Sequence, residues 1–196
     1  MAGRVAGKIK LQTVDELLGV PEIAGTQEIE LGRIHAFPNH PFKVLDDERM
    51  DMLVESIREN GILNPVIVRP DKNGDYEMIS GHRRLHAAGI VGLSKIPAIV
   101  KEMSDDEAII KMVDANIQRE EIMPSEKAFA YKMKLEAMKR TAGRPTKENA
   151  CHNGTHLRSD QELALQVGDS ARSIQRYIRL TELIPELLEC IDNKKL

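Results

Sequence analysis

Apolar residues recur along the chain at two spacings, strand-like and helical stretches mixed before residue 104 and helical ones after it. Residues 1–30 are only weakly periodic and are broken by Gly3, Gly7, Gly19, Pro21 and Gly25. Residues 1–28 therefore read as a flexible arm with one short helix near Val14–Leu18. Ile29–Ile34 alternates apolar and polar positions, which predicts a first strand. Two prolines in Phe37–Phe42 exclude regular structure there, because proline lacks an N–H and restrains its predecessor. Met50, Leu53, Val54 and Ile57 then share one helical face, with Asp46 or Asp47 as cap and Gly61 as stop. Val66–Val68 predicts a buried strand ended by Pro70, Asp71–Gly74 a turn, and Tyr76–Ile79 a returning strand. Ser80-Gly81 opens a short helix, His82–Ala88, stopped by Gly89, and Ile96–Val100 is a further strand. This order predicts an α+β domain.

From Ser104 onward the period is helical. Ser104 and Glu107 form a capping box, and Ile109, Met112, Val113 and Ile117 make the buried stripe. Pro124 starts a second helix that runs to about Arg140. Residues 141–159 read as a loop, followed by helices near 160–167 and 170–179 and a tail, Pro185–Leu196. The predicted organisation is an arm (1–28), an α+β domain (29–122) and an all-α domain (123–196).

The stretch Gln161–Ile178 fits a helix-turn-helix. Leu163, Ala164 and Val167 face inward, Gly168 turns the chain and Ser170 caps the second helix. Ile174 and Ile178 bury with Tyr177 and Ala171. The outward face then carries Arg172, Ser173, Gln175, Arg176 and Arg179, donor-rich side chains suited to base edges and phosphates. The alternative is a plain helical hairpin with a solvated charged face, and DNA binding is favoured over it.

Composition sharpens this reading. The chain has 196 residues, 41% of them apolar and 30% charged, with a formal net charge of -3. A uniformly basic coat is excluded. Yet Lys139–Leu180 holds eight Lys and Arg against four Asp and Glu, a local excess of +4. Aromatics are 3% and Trp is absent, which argues against stacking on single strands. Two distant cysteines, no signal peptide and no apolar run of membrane length fit a reducing cytoplasm. Gly143-Arg144-Pro145 resembles an AT-hook core but reads as a loop turn, and Cys151, His152 and His156 are not expected to hold a metal.

A second chemical signal is Gly81-His82-Arg83-Arg84, where a strand gives way to a helix. Glycine lets backbone N–H groups approach an anion, the helix N-terminus adds partial positive charge, and two arginines offer forked donors. Asn116 and Arg119 lie three apart and can bring an amide and a guanidinium to one phosphate. P-loop and Rossmann fingerprints are absent. His82 and His86, at i and i+4, form a candidate metal pair, but no acidic or Cys partner is placed by the sequence.

Taken in order, Ser56–Arg69, Tyr76–Ala88, Asn116-Ile117-Gln118-Arg119-Glu120 and the helix-turn-helix resemble the ParB-type partition proteins (the ParB/RepB/Noc superfamily) over about residues 29–190. The resemblance implies a small, sulfiredoxin-like N-terminal domain that binds CTP, a helix-turn-helix that binds a palindromic DNA site, and a DNA-loaded clamp in chromosome or mobile-element segregation. It implies nucleotide contacts from Gly81, His82, Arg83, Arg84, Asn116 and Arg119, with Asn64 nearby and Mg²⁺ beside Asn116. DNA contacts fall on Ser170, Arg172, Ser173, Gln175, Arg176 and Arg179. It further implies a nucleoid-associated cytoplasmic protein, a homodimer in the full-length protein, a ParA-type ATPase partner, and a C-terminal dimerisation domain that is absent here. The family's arginine box usually carries Glu where His82 stands and Arg where His86 stands, and its asparagine motif usually begins with Glu where Ala115 stands. Both hydrolytic carboxylates are thus replaced, so the enzymatic activity expected is a weak CTPase or none. The rival readings are a helix-turn-helix regulator that binds no nucleotide and a ParB-fold nuclease, which would need a carboxylate pair on Mg²⁺.

Overall fold

The computed structural model describes residues 25–119, 122–141 and 158–195. The strands are β1 (Thr26–Glu30), β2 (Ile34–His35), β3 (Val66–Pro70), β4 (Tyr76–Ser80) and β5 (Lys95–Val100). They form one mixed sheet in the order β1-β5-β3-β4-β2. β1 runs antiparallel to β5 and β3 antiparallel to β4, while β3 and β5, and β2 and β4, are parallel pairs. The helices are α1 (Glu48–Asn60), α2 (His82–Val91), α3 (Asp105–Ile117), α4 (Pro124–Thr141), α5 (Ser159–Val167), α6 (Ala171–Leu180) and α7 (Pro185–Asp192). The fold class is α+β.

Both faces of the sheet are covered, which is why β3 begins with the unbroken apolar run Val66–Val68. Val66, Val68, Met78, Ile96 and Ala98 pack on one face with Ala88 of α2. Ile79 and the half-buried Ile67 point to the other face, against Ala108, Met112 and Val113 of α3 and Ala130 of α4. Each such fully buried side chain contributes about 1.5–3 kcal/mol. Met50, Val54 and Ile57 lay α1 against Ala87 of α2. The Asp47 carboxylate caps α1 by accepting from the Met50 N–H at 2.8 Å, and the capping box of Ser104 and Glu107 opens α3 as expected.

Three details differ from the sequence-based expectation. Ile29–Ile34 is not one strand: β1 starts at Thr26, a single 3₁₀ turn occupies Leu31–Arg33, and β2 follows on the opposite edge of the sheet. Ile29 and Ile34 still reach the same apolar cluster, so the alternation was a true burial signal spanning a turn. Helix α2 continues through Gly89 to Val91 and stops at Gly92, whose φ of +84° ends it. Packing of Ala87 and Ala88 outweighs the roughly 1 kcal/mol that an interior glycine costs. Helix α4 serves two cores: Ala130 faces the sheet layer, while Tyr131 and Leu135 join Leu163 and Ile174 beneath the last helices. The helix near Val14–Leu18, the Gly143–Pro145 turn and the Cys151, His152 and His156 group lie outside the described residues.

Candidate functional site

Gly81 stands between β4 and α2 with φ +112°, a conformation side chains rarely adopt. A Cβ there would sit 2.6 Å from Cγ1 of Val66. The glycine therefore lets β3 and the start of α2 approach closely, and it orients the three residues that follow.

Those residues point to different partners. Arg84 donates to the Asn64 carbonyl, and at 2.8 Å to the Pro65 carbonyl, tying the loop before β3 to α2. Burial pulls its guanidinium below the usual arginine range. Asn64 thus meets the arginine box through its backbone oxygen. Arg83 donates to the capping carboxylate of Asp47 at 3.2 Å, while its Nε is buried without a partner among the described residues. His82 is 8% exposed and stacks on His40, with ring centroids 3.8 Å apart. Burial, the second imidazole and Arg119 push its pKa down to about 3. His40 binds the Phe42 carbonyl through Nδ1 at 2.7 Å, and burial lowers its pKa too. His86 turns away and meets Asp46 at 2.7 Å, so the two histidines of α2 do not converge on a metal. No cluster of three or more metal-ligating side chains occurs among the described residues.

Arg119, just past α3, lays its guanidinium over the Phe42 ring, 5.7 Å from the centroid. Burial and the facing Arg83 pull it below the usual arginine range, with Glu126 opposing them. Arg83 and Arg119 line a cleft of about 620 Å³ with Lys43, Arg49 and Lys194. Its acids are already engaged. Asp47 caps α1, Glu126 accepts the Lys43 N–H at 2.7 Å, and Asp192 accepts the Ser125 N–H at 3.0 Å. Asn116 is not among the lining residues; it is buried, and its amide donates to the Met112 carbonyl at 2.7 Å. Asp114, one residue from Ala115, is paired with Lys134. Sequence reasoning missed His40, Lys43 and Lys194. All three lie in irregular or terminal segments, where periodicity carries no signal.

In the C-terminal part of the chain, α5, a turn at Gly168 and α6 form the expected helix-turn-helix. Ser170 caps α6 by accepting the Ser173 N–H at 3.0 Å. Ile174 is fully buried, with Tyr177 and Ile178 half-buried beside it. Arg172, Gln175, Arg176 and Arg179 are exposed. Gln175 also reaches Asp160 at 3.5 Å, a weak contact that pulls its amide toward α5.

These features define a class: an α+β domain with an arginine-lined cleft, joined through a long helix to a helix-turn-helix. The chain belongs to the ParB N-terminal domain family, which matches residues 15–117. It is 34% identical over 169 residues to the chromosome-partitioning protein Spo0J of Thermus thermophilus, covering 86% of this chain and 55% of that protein. It is 30% identical over 197 residues to a nucleoid occlusion protein of Listeria monocytogenes, covering 98% of this chain and 62% of that one. The chain therefore spans somewhat more than half the length of these relatives. The C-terminally truncated chromosome-partitioning protein ParB of Caulobacter crescentus, solved on the centromeric parS site, shares the fold. Its TM-score is 0.54 at 23% identity, over 87% of this chain and 79% of that one. No helix among the described residues is long and apolar enough to cross a membrane.

Proposed function

We propose that this chain is the nucleotide- and DNA-binding part of a partition protein, taking CTP in the arginine cleft and duplex DNA on α6. The observation that carries the nucleotide half is the cleft that Arg83 and Arg119 line together with Lys43, Arg49 and Lys194, where the two guanidiniums are close enough for Arg83 to repel the charge on Arg119. Like charges brought together in a partly dry cleft are stabilised by an anion, and a guanidinium pair matches phosphate oxygens. The orphaned Nε of Arg83 is a further donor waiting for an acceptor. The triphosphate of CTP would supply that anion. Arg83 and Arg119 would bind it, Gly81 would admit it to the start of α2, and Arg84 would hold the Asn64 loop in place.

The residues fit the nucleotide better than they fit its metal. Asn116 is committed to Met112 and stands outside the cleft lining, so no protein ligand for Mg²⁺ is assigned. Hydrolysis is not supported either. His82 is buried and neutral against His40, Ala115 offers no acceptor, and Asp114 is occupied by Lys134. The nuclease reading fails on the same ground, because the carboxylates beside the arginines act as caps and ion-pair partners. Sequence-specific DNA binding rests on the exposed Arg172, Gln175, Arg176 and Arg179. The palindromic site, the closing clamp, the homodimer, the division into an arm and two domains, and a ParA-type ATPase partner all follow from the same family reading.

Isothermal titration of the protein with CTP, ATP, GTP and UTP, with and without duplex DNA, tests this. The expected result is binding of CTP alone, strengthened by DNA, with little release of phosphate. Silence with all four nucleotides would replace the clamp by a regulator that only binds DNA.

A further inference from the structure

The turn of the helix-turn-helix is tied to α4 by a charged clasp. Asp169, between α5 and α6, receives the Lys127 ammonium at 2.8 Å and the Tyr131 hydroxyl. Lys127 also lies over two aromatic rings, 5.6 Å from the Tyr131 centroid and 5.0 Å from that of Tyr177 on α6. The two tyrosines meet edge to face, with centroids 5.8 Å apart and planes at 80°. The same helix holds the far end of α6, where Lys132 donates to the Thr181 hydroxyl at 3.4 Å. Between these points Ile174 is buried against Tyr131 and Leu135. Helix α6 is thus fixed at its start, its middle and its end by α4.

This cost in polar groups is more than burial alone requires. An apolar contact would seat α6 on α4 but allow it to roll and slide, since apolar packing is non-directional. A carboxylate held by an ammonium and a hydroxyl has one orientation. Lys127 holds Asp169 well below the usual carboxylate range, and Tyr131 assists. The ammonium is half-buried and satisfied, so it is not a free cation for a phosphate.

We propose that Lys127, Tyr131 and Asp169 are positioning residues for DNA recognition: they fix the pose of α6 on α4, and so which base sequence its outward face reads, without touching DNA themselves. This rests on the reading of α6 as the recognition helix. Sequence discrimination depends on placing α6 side chains within hydrogen-bond reach of base edges, whereas phosphate attraction tolerates a shifted helix. Loosening the clasp therefore lowers specific binding far more than non-specific binding.

The test selects a site from a randomised 30-base-pair duplex pool with the full chain. Affinity is then measured for the enriched duplex and a shuffled duplex at several salt concentrations. Lys127→Ala and Tyr131→Phe are expected to cut the specific-to-shuffled ratio about tenfold. Binding to the shuffled duplex and the salt slope should stay unchanged, and Lys127→Arg should restore the ratio. A ratio within about twofold of the parent in both variants overturns the proposal. So does an equal loss on both duplexes with a salt slope reduced by about one, which would make Lys127 a phosphate contact. Failure of the parent chain to enrich any sequence overturns the recognition-helix reading, and the positioning role with it. Asp169→Asn is the severest variant; should it unfold in a circular-dichroism melt, the other two decide.

Discussion

Helices α2 and α6 both carry arginines near their first turns, and the fold uses them in opposite ways. On α2 the arginines are engaged by the fold: Arg84 donates to two carbonyls and Arg83 to a capping carboxylate. On α6, Arg172, Arg176 and Arg179 remain exposed. The first arrangement costs desolvation and fixes the lining of the cleft in which we propose a compact anion binds. The second leaves its cations in water, where we propose that they meet the phosphate backbone of DNA. Similar residues thus acquire different chemistry from whether their helix start is packed under a sheet or left at the surface.

The most severe way to break this contrast is at Gly81. Gly81→Ala places a side chain at φ +112° and against Val66. A loss of about 3 kcal/mol is expected in urea unfolding, and the cleft should fail with the fold. The equivalent probe of α6 separates the two regions. Arg172→Ala or Arg176→Ala should cost about 1–3 kcal/mol of specific DNA affinity, with the unfolding midpoint unchanged. Footprints unaltered by both would remove the recognition role from α6.

Within the cleft, Arg84 and Arg119 should behave differently. Arg84→Ala is expected to lower stability by about 1–2 kcal/mol, because two loop carbonyls lose their donor. Arg119→Ala should leave the melting temperature nearly unchanged and weaken CTP binding about tenfold or more. If calorimetry and thermal melts give the reverse, the division of labour between the two arginines is wrong.

The smallest effect is a pH dependence confined to the α2 side. His40 and His82 are held neutral, the latter with a pKa of about 3 against an ordinary 6.5. The unfolded chain binds those protons more readily. The stability that rests on a neutral His82 is therefore complete above pH 6.5 and is lost as the pH falls toward 3, and His40 acts in the same direction. For His82 the expected slope is about 1 kcal/mol per pH unit below pH 6.5. His82→Gln should flatten it in urea titrations between about pH 6.5 and 4.5, and an unaltered slope would place the pH dependence elsewhere.

Much of this was legible from the chain alone. The caps at Asp47, Ser104 and Ser170, the turn at Gly168 and the inward face of α6 appear where spacing placed them. Candidate residues Arg83 and Arg119 do line one cleft, and Gly81 opens the helix that carries Arg83. Asn116 does not line it, and the His40–His82 stack had no precursor in any local pattern. A buried asparagine that satisfies its amide on its own helix looks the same in sequence as one aimed at a ligand.

The sequence by itself determined the element types, most caps, the buried apolar faces and the family. These depend on neighbours three or four residues apart, or two apart in a strand, so the chain records them locally. Tertiary structure alone decided which arginine is a strut and which lines the cleft, that α4 belongs to two cores, and that a clasp ties the turn before α6 to α4. Arg83 meets Asp47 across 36 positions and Tyr131 meets Asp169 across 38. Such pairings depend on the path of the chain, and residue spacing carries no record of that path.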